Sequence, residues 1–128
     1  MTEPAWLTND AVMAIHSDLI AEYGGLGGIR DTGPLDSGLA RPQNVFAFCE
    51  PSLFDPAAAY CAGIVRNHPF IDGNKRTGLM AAYAFLRLNG YRLTASEPEA
   101  VFMIRDLAAG EIGEAEIAAW IAASVEAV

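Results

Sequence analysis

Positive charge, histidine and cysteine are all scarce in this sequence. Its 128 residues carry sixteen acidic side chains against eight basic ones, for a formal net charge of −8, and include two histidines and one lysine. Because a protein that holds a phosphate backbone needs a basic face, this balance argues against nucleic acid as the main partner. The two cysteines, Cys49 and Cys61, fit neither a disulfide framework nor a zinc site. We therefore expect free thiols, which suit a reducing cytosol.

Long apolar runs are also missing. The apolar stretch at residues 79–86 is soon interrupted by Arg87 and Gly90, whereas a membrane span needs about 20 consecutive apolar residues. The N-terminus does not show the basic and apolar regions of a secretion signal. We expect one cytoplasmic domain over residues 1–128 with no membrane partner, and an apolar fraction of 52% is ample for its core.

The pattern that the chain does contain is helical. Apolar residues recur at helical spacing after a capping Thr8 or Asn9, and the first predicted helix runs to about Tyr23. Residues 74–89 are apolar on nearly every side, which predicts a buried central helix. Two further helices are predicted from about Pro34 to Pro42 and from a capping Asp55 to about Asn67. A third begins after a Ser96–Glu99 capping box and turns Val101, Ile104 and Ala108 inward. The last one carries Ile117, Trp120 and Ile121. The predicted fold class is all-α.

Residues 43–54 are the least regular segment. They are apolar, yet Pro51 prevents a long helix there. Two interpretations are open: a loop or short hairpin packed on the core, or a short flap that holds a segment of a target as an added strand.

Chemistry is concentrated in one stretch, residues 68–78, with the sequence HPFIDGNKRTG. Gly73 opens directly into the helix predicted from Asn74, and the first N–H groups of a helix form a ready anion site. Lys75 and Arg76 lie in that first turn, where cations are unfavourable for the helix dipole unless an anion faces them. A phosphate or polyphosphate is the natural candidate.

Each polar residue of the stretch has a structural and a chemical interpretation. His68 either caps the preceding helix or accepts a proton as a general base. Asp72 either caps the next helix or binds Mg²⁺, which uses one or two carboxylates plus substrate phosphates. Asn74 either caps the helix or points its amide at a phosphate oxygen.

The remaining candidates are basic or serve as anchors. Lys75 and Arg76 are either a solvated pair or a phosphate clamp. Arg66 is expected to point into the same cleft, and Phe70 to be a buried anchor. His16 is left as a residue on the surface of the first helix. Neither a P-loop nor a dinucleotide-binding glycine motif competes with this stretch.

The stretch resembles the Fic/Doc signature H-x-F-x-[D/E]-x-N-[G/K]-R, with matches at His68, Phe70, Asp72, Asn74, Lys75 and Arg76. Lys75 resembles the Doc branch, since Fic adenylyltransferases have glycine there. Arg30-Asp31, Leu35, Leu39 and residues 41–44 (RPQN) also resemble the Doc N-terminal region. The resemblance implies a Fic/Doc-like helical bundle with His68 catalytic, Asp72 on the metal, and Gly73, Asn74, Lys75, Arg76 and Arg66 around the nucleotide phosphates.

The resemblance also implies a function. It is that of a toxin from a bacterial toxin–antitoxin pair, which transfers phosphate from ATP with Mg²⁺ to a hydroxyl of a protein target, expected to be a translation elongation factor. The self-inhibitory motif [S/T]-x-x-x-E-[G/N] of some Fic proteins is absent, so inhibition by a separate antitoxin is expected. Two alternatives stay open: nucleotidyl transfer of the Fic type, and a catalytically silent helical binding module.

Overall fold

The computed structural model describes residues 3–48 and 52–128, and within them the chain is all-α apart from one small sheet. The elements are α1 (Asn9–Tyr23), α2 (Thr32–Phe48), α3 (Phe54–Asn67), α4 (Asn74–Leu88), β1 (Tyr91–Leu93), α5 (Glu97–Ala109), α6 (Glu114–Ala123) and β2 (Val125–Ala127). β1 and β2 pair antiparallel, with Arg92 opposite Glu126. The all-α prediction is confirmed, and no helix in the described part has the length and apolar content to cross a bilayer.

The predicted helix caps are confirmed at Thr8 and at Ser96, although Glu99 accepts from Nε1 of Trp120 and does not complete the predicted capping box. The Thr8 side chain accepts a hydrogen bond from the N–H of Ala11, and Ser96 accepts one from the N–H of Glu99. Asp55, in contrast, is not a cap, because α3 starts one residue earlier and the Ser52 hydroxyl accepts from the N–H of Phe54. On α5, Ile104 is buried as predicted, but Val101 and Ala108 are exposed.

Helix α2 is longer than the sequence predicted, because it continues through Pro42. A proline inside a helix removes one backbone hydrogen bond. Here Leu35, Leu39, Pro42 and Val45 follow one another at intervals of three or four residues and are all buried, so burial of this face offsets the local loss. Residues 43–48 are therefore helical rather than a loop or flap, and the rest of the predicted flap includes residues 49–51, which lie outside the described residues.

The most buried helix is α3, not α4 as predicted. All ten residues at positions 56–65 are buried. Helix α4 buries one face only, and its Met80 and Leu88 are 37% and 55% exposed. The prediction was wrong because apolar composition does not distinguish a helix covered on all sides from one with scattered exposed apolar residues.

Small residues allow the neighbours of α3 to approach it closely. A Cβ placed on Gly63 would lie 3.0 Å from the Cα of Gly38 on α2. A Cβ on Gly78 of α4 would lie 2.7 Å from Cγ2 of Val65 and 3.0 Å from the carbonyl oxygen of Cys61. The thiol of Cys61 is free and fully buried there, and burial raises its pKa to about 12. The contact at Gly78 sets the spacing of α3 and α4.

We expect Gly78→Ala to destabilise the protein, because the backbone carbonyl of Cys61 cannot move aside cheaply. Overpacking costs ~1–3 kcal/mol, partly offset by the better helix propensity of alanine, about 1 kcal/mol. Urea unfolding should therefore show a net loss of up to about 2 kcal/mol in the free energy of unfolding. Gly27→Ala is the matched control, since no atom lies within 4 Å of its added Cβ. Equal stability of the two variants would contradict this account of the helix contact.

Candidate functional site

The connection between α3 and α4 is the short segment of residues 68–73, here called the motif loop. It begins at His68, whose φ of 49° and ψ of 54° lie in the left-handed region, and ends at Gly73, with φ 82°. Among the described residues, His68 is the only non-glycine with positive φ. Such a conformation is uncommon and costs free energy, so it marks a segment that the surrounding structure holds in place.

The side chain of Asn74 closes the motif loop from inside. Its Oδ1 accepts a hydrogen bond from the N–H of Phe70 at 3.0 Å, and its Nδ2 donates to the carbonyl of Phe70 at 2.9 Å. Asn74 is 8% exposed. Both ends of the amide thus hold the loop, and the side chain does not cap α4. The contact of Asn74 with a phosphate oxygen stays a prediction.

Arg30 holds the loop from outside, at the C-terminal end of α3. Its Nε donates to the carbonyl of His68 at 2.7 Å and its guanidinium also donates to the carbonyl of Asn67 at 3.0 Å. A cation is favourable at this end of a helix. Because Arg30 binds these carbonyls, the imidazole of His68 is not used for capping. His68 is exposed, and its ring has no hydrogen-bond partner among the described residues.

A glycine-rich segment, residues 24–31, runs beside the motif loop and is here called the glycine loop. The N–H of Arg30 donates to the carbonyl of Pro69 at 2.7 Å, and the N–H of Ile71 donates to the carbonyl of Gly28 at 3.2 Å. Ile29 and Phe70 form an antiparallel bridge. The strand-like pairing beside the motif loop is therefore made by the glycine loop.

The glycine loop also orients Asp72. The N–H of Leu26 donates to Oδ2 of Asp72 at 2.8 Å. Gly25 has φ 113°, and a Cβ there would lie 3.2 Å from the Cβ of Asp72. Helix α4 has Gly73 at its N-cap and no side-chain cap. Asp72 therefore does not cap the helix, and Oδ1 of its carboxylate has no protein partner in the described structure.

His16 is not the surface residue that the sequence predicted. It is 4% exposed, and its ring stacks on that of Phe70 with centroids 3.8 Å apart and an interplanar angle of 7°. Its Nε2 lies 2.7 Å from the carbonyl oxygen of Asp72. The prediction was wrong because the partners of His16 are more than fifty residues away in sequence.

These contacts shape a cavity of about 580 Å³ beside the start of α4. Its lining combines an imidazole, one carboxylate, three cationic side chains and an apolar wall. The lining residues are His68, Ile71, Asp72, Gly73, Asn74, Lys75, Arg76, Leu79, Val101, Ile104 and Arg105. The site therefore concentrates positive charge in a chain whose net charge is −8.

The structure brings together six of the seven predicted site residues. Arg66 is the exception: its guanidinium donates to the carbonyl of Ile112 at 3.3 Å, and it is not among the residues that line the cavity. Arg76 lines the cavity, and its guanidinium lies 4.3 Å from the ring centroid of Tyr23, a cation–π contact. Lys75 is exposed and has no ion-pair partner among the described residues.

Arg105 is a cavity residue that the sequence did not identify. It lies on α5, and its guanidinium stacks 4.9 Å from the ring centroid of Phe102. The sequence held one signal, since Arg105 directly follows Ile104, the residue of α5 that was correctly predicted to be buried. Nothing in the sequence indicated that α5 would form the wall opposite the motif loop.

The donors available to a metal ion are few. No group of three or more His, Cys, Asp or Glu side chains that could hold a metal occurs in the described ranges. One carboxylate beside the predicted phosphate site still fits Mg²⁺, which uses few protein ligands and takes the rest from phosphate and water. Asp72 is the residue whose carboxylate faces this cavity.

Comparison with known proteins identifies a family whose match includes the residues of the site. The sequence matches the Fic/DOC family over residues 6–86, a range that includes the motif loop and most of α4. The chain is 36% identical over 113 residues to the protein kinase doc of Escherichia phage P1, covering 88% of this chain and 89% of that protein. It is 47% identical over 77 residues to the toxin Doc of Mycolicibacterium smegmatis, covering 57% and 58%. The chain therefore belongs to the Fic/Doc family.

Proposed function

We propose that this chain is a Doc-type toxin that transfers the terminal phosphoryl group of ATP to a hydroxyl of a protein target. The names of its relatives, a protein kinase and a toxin, support this class of function. The observation that carries the proposal is the cavity, in which an unpartnered histidine, a carboxylate and three cations surround the uncapped start of a helix.

The start of α4 is the proposed phosphate site. The first intrahelical bond runs from the N–H of Thr77 to the carbonyl of Gly73 at 2.9 Å, so the N–H groups of residues 74–76 have no intrahelical acceptor. Such groups bind anions well. Lys75, Arg76 and Arg105 add three positive charges, which can offset most of the charge of a triphosphate.

Asp72 is the proposed ligand for Mg²⁺. When bound, Mg²⁺ would neutralise phosphate charge and orient the oxygens for in-line displacement. The contribution of this chain is to hold the carboxylate in place, through the N–H of Leu26 on Oδ2, while Oδ1 has no partner in the described structure and is left for the ion. A single protein carboxylate with substrate phosphates is a normal set of ligands for this ion.

His68 is the proposed general base. It removes the proton of the target hydroxyl as that oxygen attacks the γ-phosphorus, and the bond from this phosphorus to the β–γ bridging oxygen breaks to release ADP. A base is effective when its ring nitrogen is free to reach the proton it accepts. The exposure of His68, and the use of Arg30 to bind the carbonyls at the end of α3, support this role.

Lys75 supports transfer of the terminal phosphoryl group rather than a nucleotidyl group. The lysine side chain adds bulk and charge at the first turn of α4, where a glycine would leave the helix start open. The triphosphate then has to present a different phosphorus to the hydroxyl beside His68. Because in-line attack needs the reacting atoms within ~3–3.5 Å, one geometry does not serve both phosphorus atoms equally.

The proposed biological context follows from the resemblance to Doc toxins. The target is proposed to be a translation elongation factor, and the effect an arrest of growth in the cytoplasm. The proposed partner is a cognate antitoxin. An acidic segment of that antitoxin would find Lys75, Arg76 and Arg105 at the cavity, against the long-range repulsion of a chain with net charge −8.

Isotope transfer tests the reaction. Purified chain is incubated with bacterial lysate and with ATP labelled at either the γ- or the α-phosphate. We expect label to enter a protein band from γ-labelled ATP and not from α-labelled ATP. His68→Ala should reduce the rate by ~10²–10⁴-fold, the usual contribution of a general base. Label transfer from the α-phosphate alone would contradict the proposal in favour of nucleotidyl transfer.

The control for folding in this experiment is the circular dichroism of His68→Ala, which should match the wild type because the His68 ring has no partner in the described structure. A folded His68→Ala chain with the wild-type rate would remove His68 from the mechanism.

Arg105 provides a second test, because it was identified by the structure alone. Arg105→Ala should weaken ATP binding by ~10–100-fold, since a charge-assisted hydrogen bond contributes ~1.5–3 kcal/mol. Arg87→Ala is the matched control, an exposed arginine in the last turn of α4 that does not line the cavity. Calorimetric titration with a non-hydrolysable ATP analogue measures both. Equal affinities for the two variants would place the phosphates away from α5.

A further inference from the structure

The second histidine of the chain lies directly behind the motif loop. His16 comes from α1, is 4% exposed, and contacts two residues of the loop. Its ring lies parallel to that of Phe70 with centroids 3.8 Å apart. Its Nε2 is 2.7 Å from the carbonyl oxygen of Asp72. A side chain with these two contacts can determine both the position and the orientation of the loop backbone.

The hydrogen bond to the carbonyl of Asp72 determines which ring nitrogen of His16 carries a proton. A carbonyl oxygen only accepts hydrogen bonds, so Nε2 of His16 has to carry a proton. The stacking on Phe70 restricts rotation of the ring and keeps this N–H in the direction of the carbonyl. The donor is therefore held in place before any ligand binds.

The carbonyl that His16 binds belongs to the peptide bond between Asp72 and Gly73. Gly73 then takes φ 82° and opens α4. A Cβ on Gly73 would lie 3.3 Å from Cδ1 of Ile20 and 3.6 Å from the ring of His16, so α1 packs directly against this turn. Rotation of this peptide would move the Asp72 carboxylate and the first N–H groups of α4 together.

We propose that His16 is a positioning residue, which sets the Asp72–Gly73 peptide and through it the Asp72 carboxylate and the anion site at the start of α4. This rests on the proposed function, in which Asp72 holds Mg²⁺. Partners that orient a metal ligand without touching the metal typically change metal affinity or activity by 10–100-fold when they are removed.

Two variants of His16 separate the hydrogen bond from the stacking. His16→Gln keeps an N–H donor near the position of Nε2 but loses the ring. His16→Phe keeps a ring that can stack on Phe70 but loses the donor. If the donor positions the loop, His16→Phe should raise the Mg²⁺ concentration for half-maximal transfer by about 10-fold, and His16→Gln should stay within about 3-fold of the wild type. Asp72→Asn, which removes the proposed ligand charge, serves as the reference for a lost metal site.

A purely structural role for His16 predicts a different pattern. Both variants would then lower the melting temperature, and the Mg²⁺ concentration for half-maximal transfer would not change in either. That pattern, or a loss in His16→Gln equal to that in His16→Phe, would overturn the proposal.

A measurement that needs no activity tests the same contact. Long-range ¹H–¹⁵N NMR correlations of the wild-type chain at pH 8 identify which ring nitrogen of His16 carries the proton. We expect protonated Nε2, and a proton on Nδ1 alone would overturn the proposal. If the wild type transfers no phosphate at all, the proposed function fails, while this measurement still tests the hydrogen bond from His16 to Asp72 on which the positioning role depends.

Discussion

The structure depends on the close contact between α3 and α4 at Gly78. Because these helices touch, the chain has to reverse direction within the six residues of the motif loop. So short a reversal forces left-handed backbone at His68 and Gly73 and leaves carbonyl groups without helical partners. Most of the other features of the site supply those partners, through Arg30, Asn74, His16 and the glycine loop.

One consequence is that the side chains that hold the motif loop differ from most of those that line the cavity. Buried or clamping residues hold the backbone, and the side chains at the cavity are left with few protein partners. His68 and Lys75 have none in the described structure, and Arg76 has only the ring of Tyr23. The loop backbone that carries these unpaired groups is held before a ligand arrives, so it needs little reorganisation when charge develops, which is the basis of electrostatic preorganisation.

The sequence predicted the parts of the molecule that depend on local pattern. The helix caps at Thr8 and Ser96 and the cluster of motif residues needed only neighbours in the chain. His16 and Arg105 could not be assigned this way, since His16 reaches the motif loop, and Arg105 the cavity, only through the packing of α1 and α5. Arg66 was assigned to the cavity from its closeness to His68 in sequence, yet it points to the carbonyl of Ile112.

The length of α2 across Pro42 and the deeper burial of α3 than of α4 also could not be predicted from local sequence pattern. A proline usually ends a helix, but burial of the α2 face across Pro42 outweighs its local cost. Helix α3 is buried because its glycines and alanines let α2 and α4 approach closely. This effect cannot be predicted before the neighbouring helices are known.

The central claim is that a motif loop fixed in advance binds the phosphates of ATP at the start of α4. A crystal structure of the chain with Mg²⁺ and a non-hydrolysable ATP analogue tests this directly. The account predicts phosphate oxygens on the N–H groups of residues 74–76, the metal on Asp72, and a motif-loop backbone within about 1 Å of its position here. A nucleotide bound elsewhere, or a motif loop that refolds to bind it, would contradict the claim.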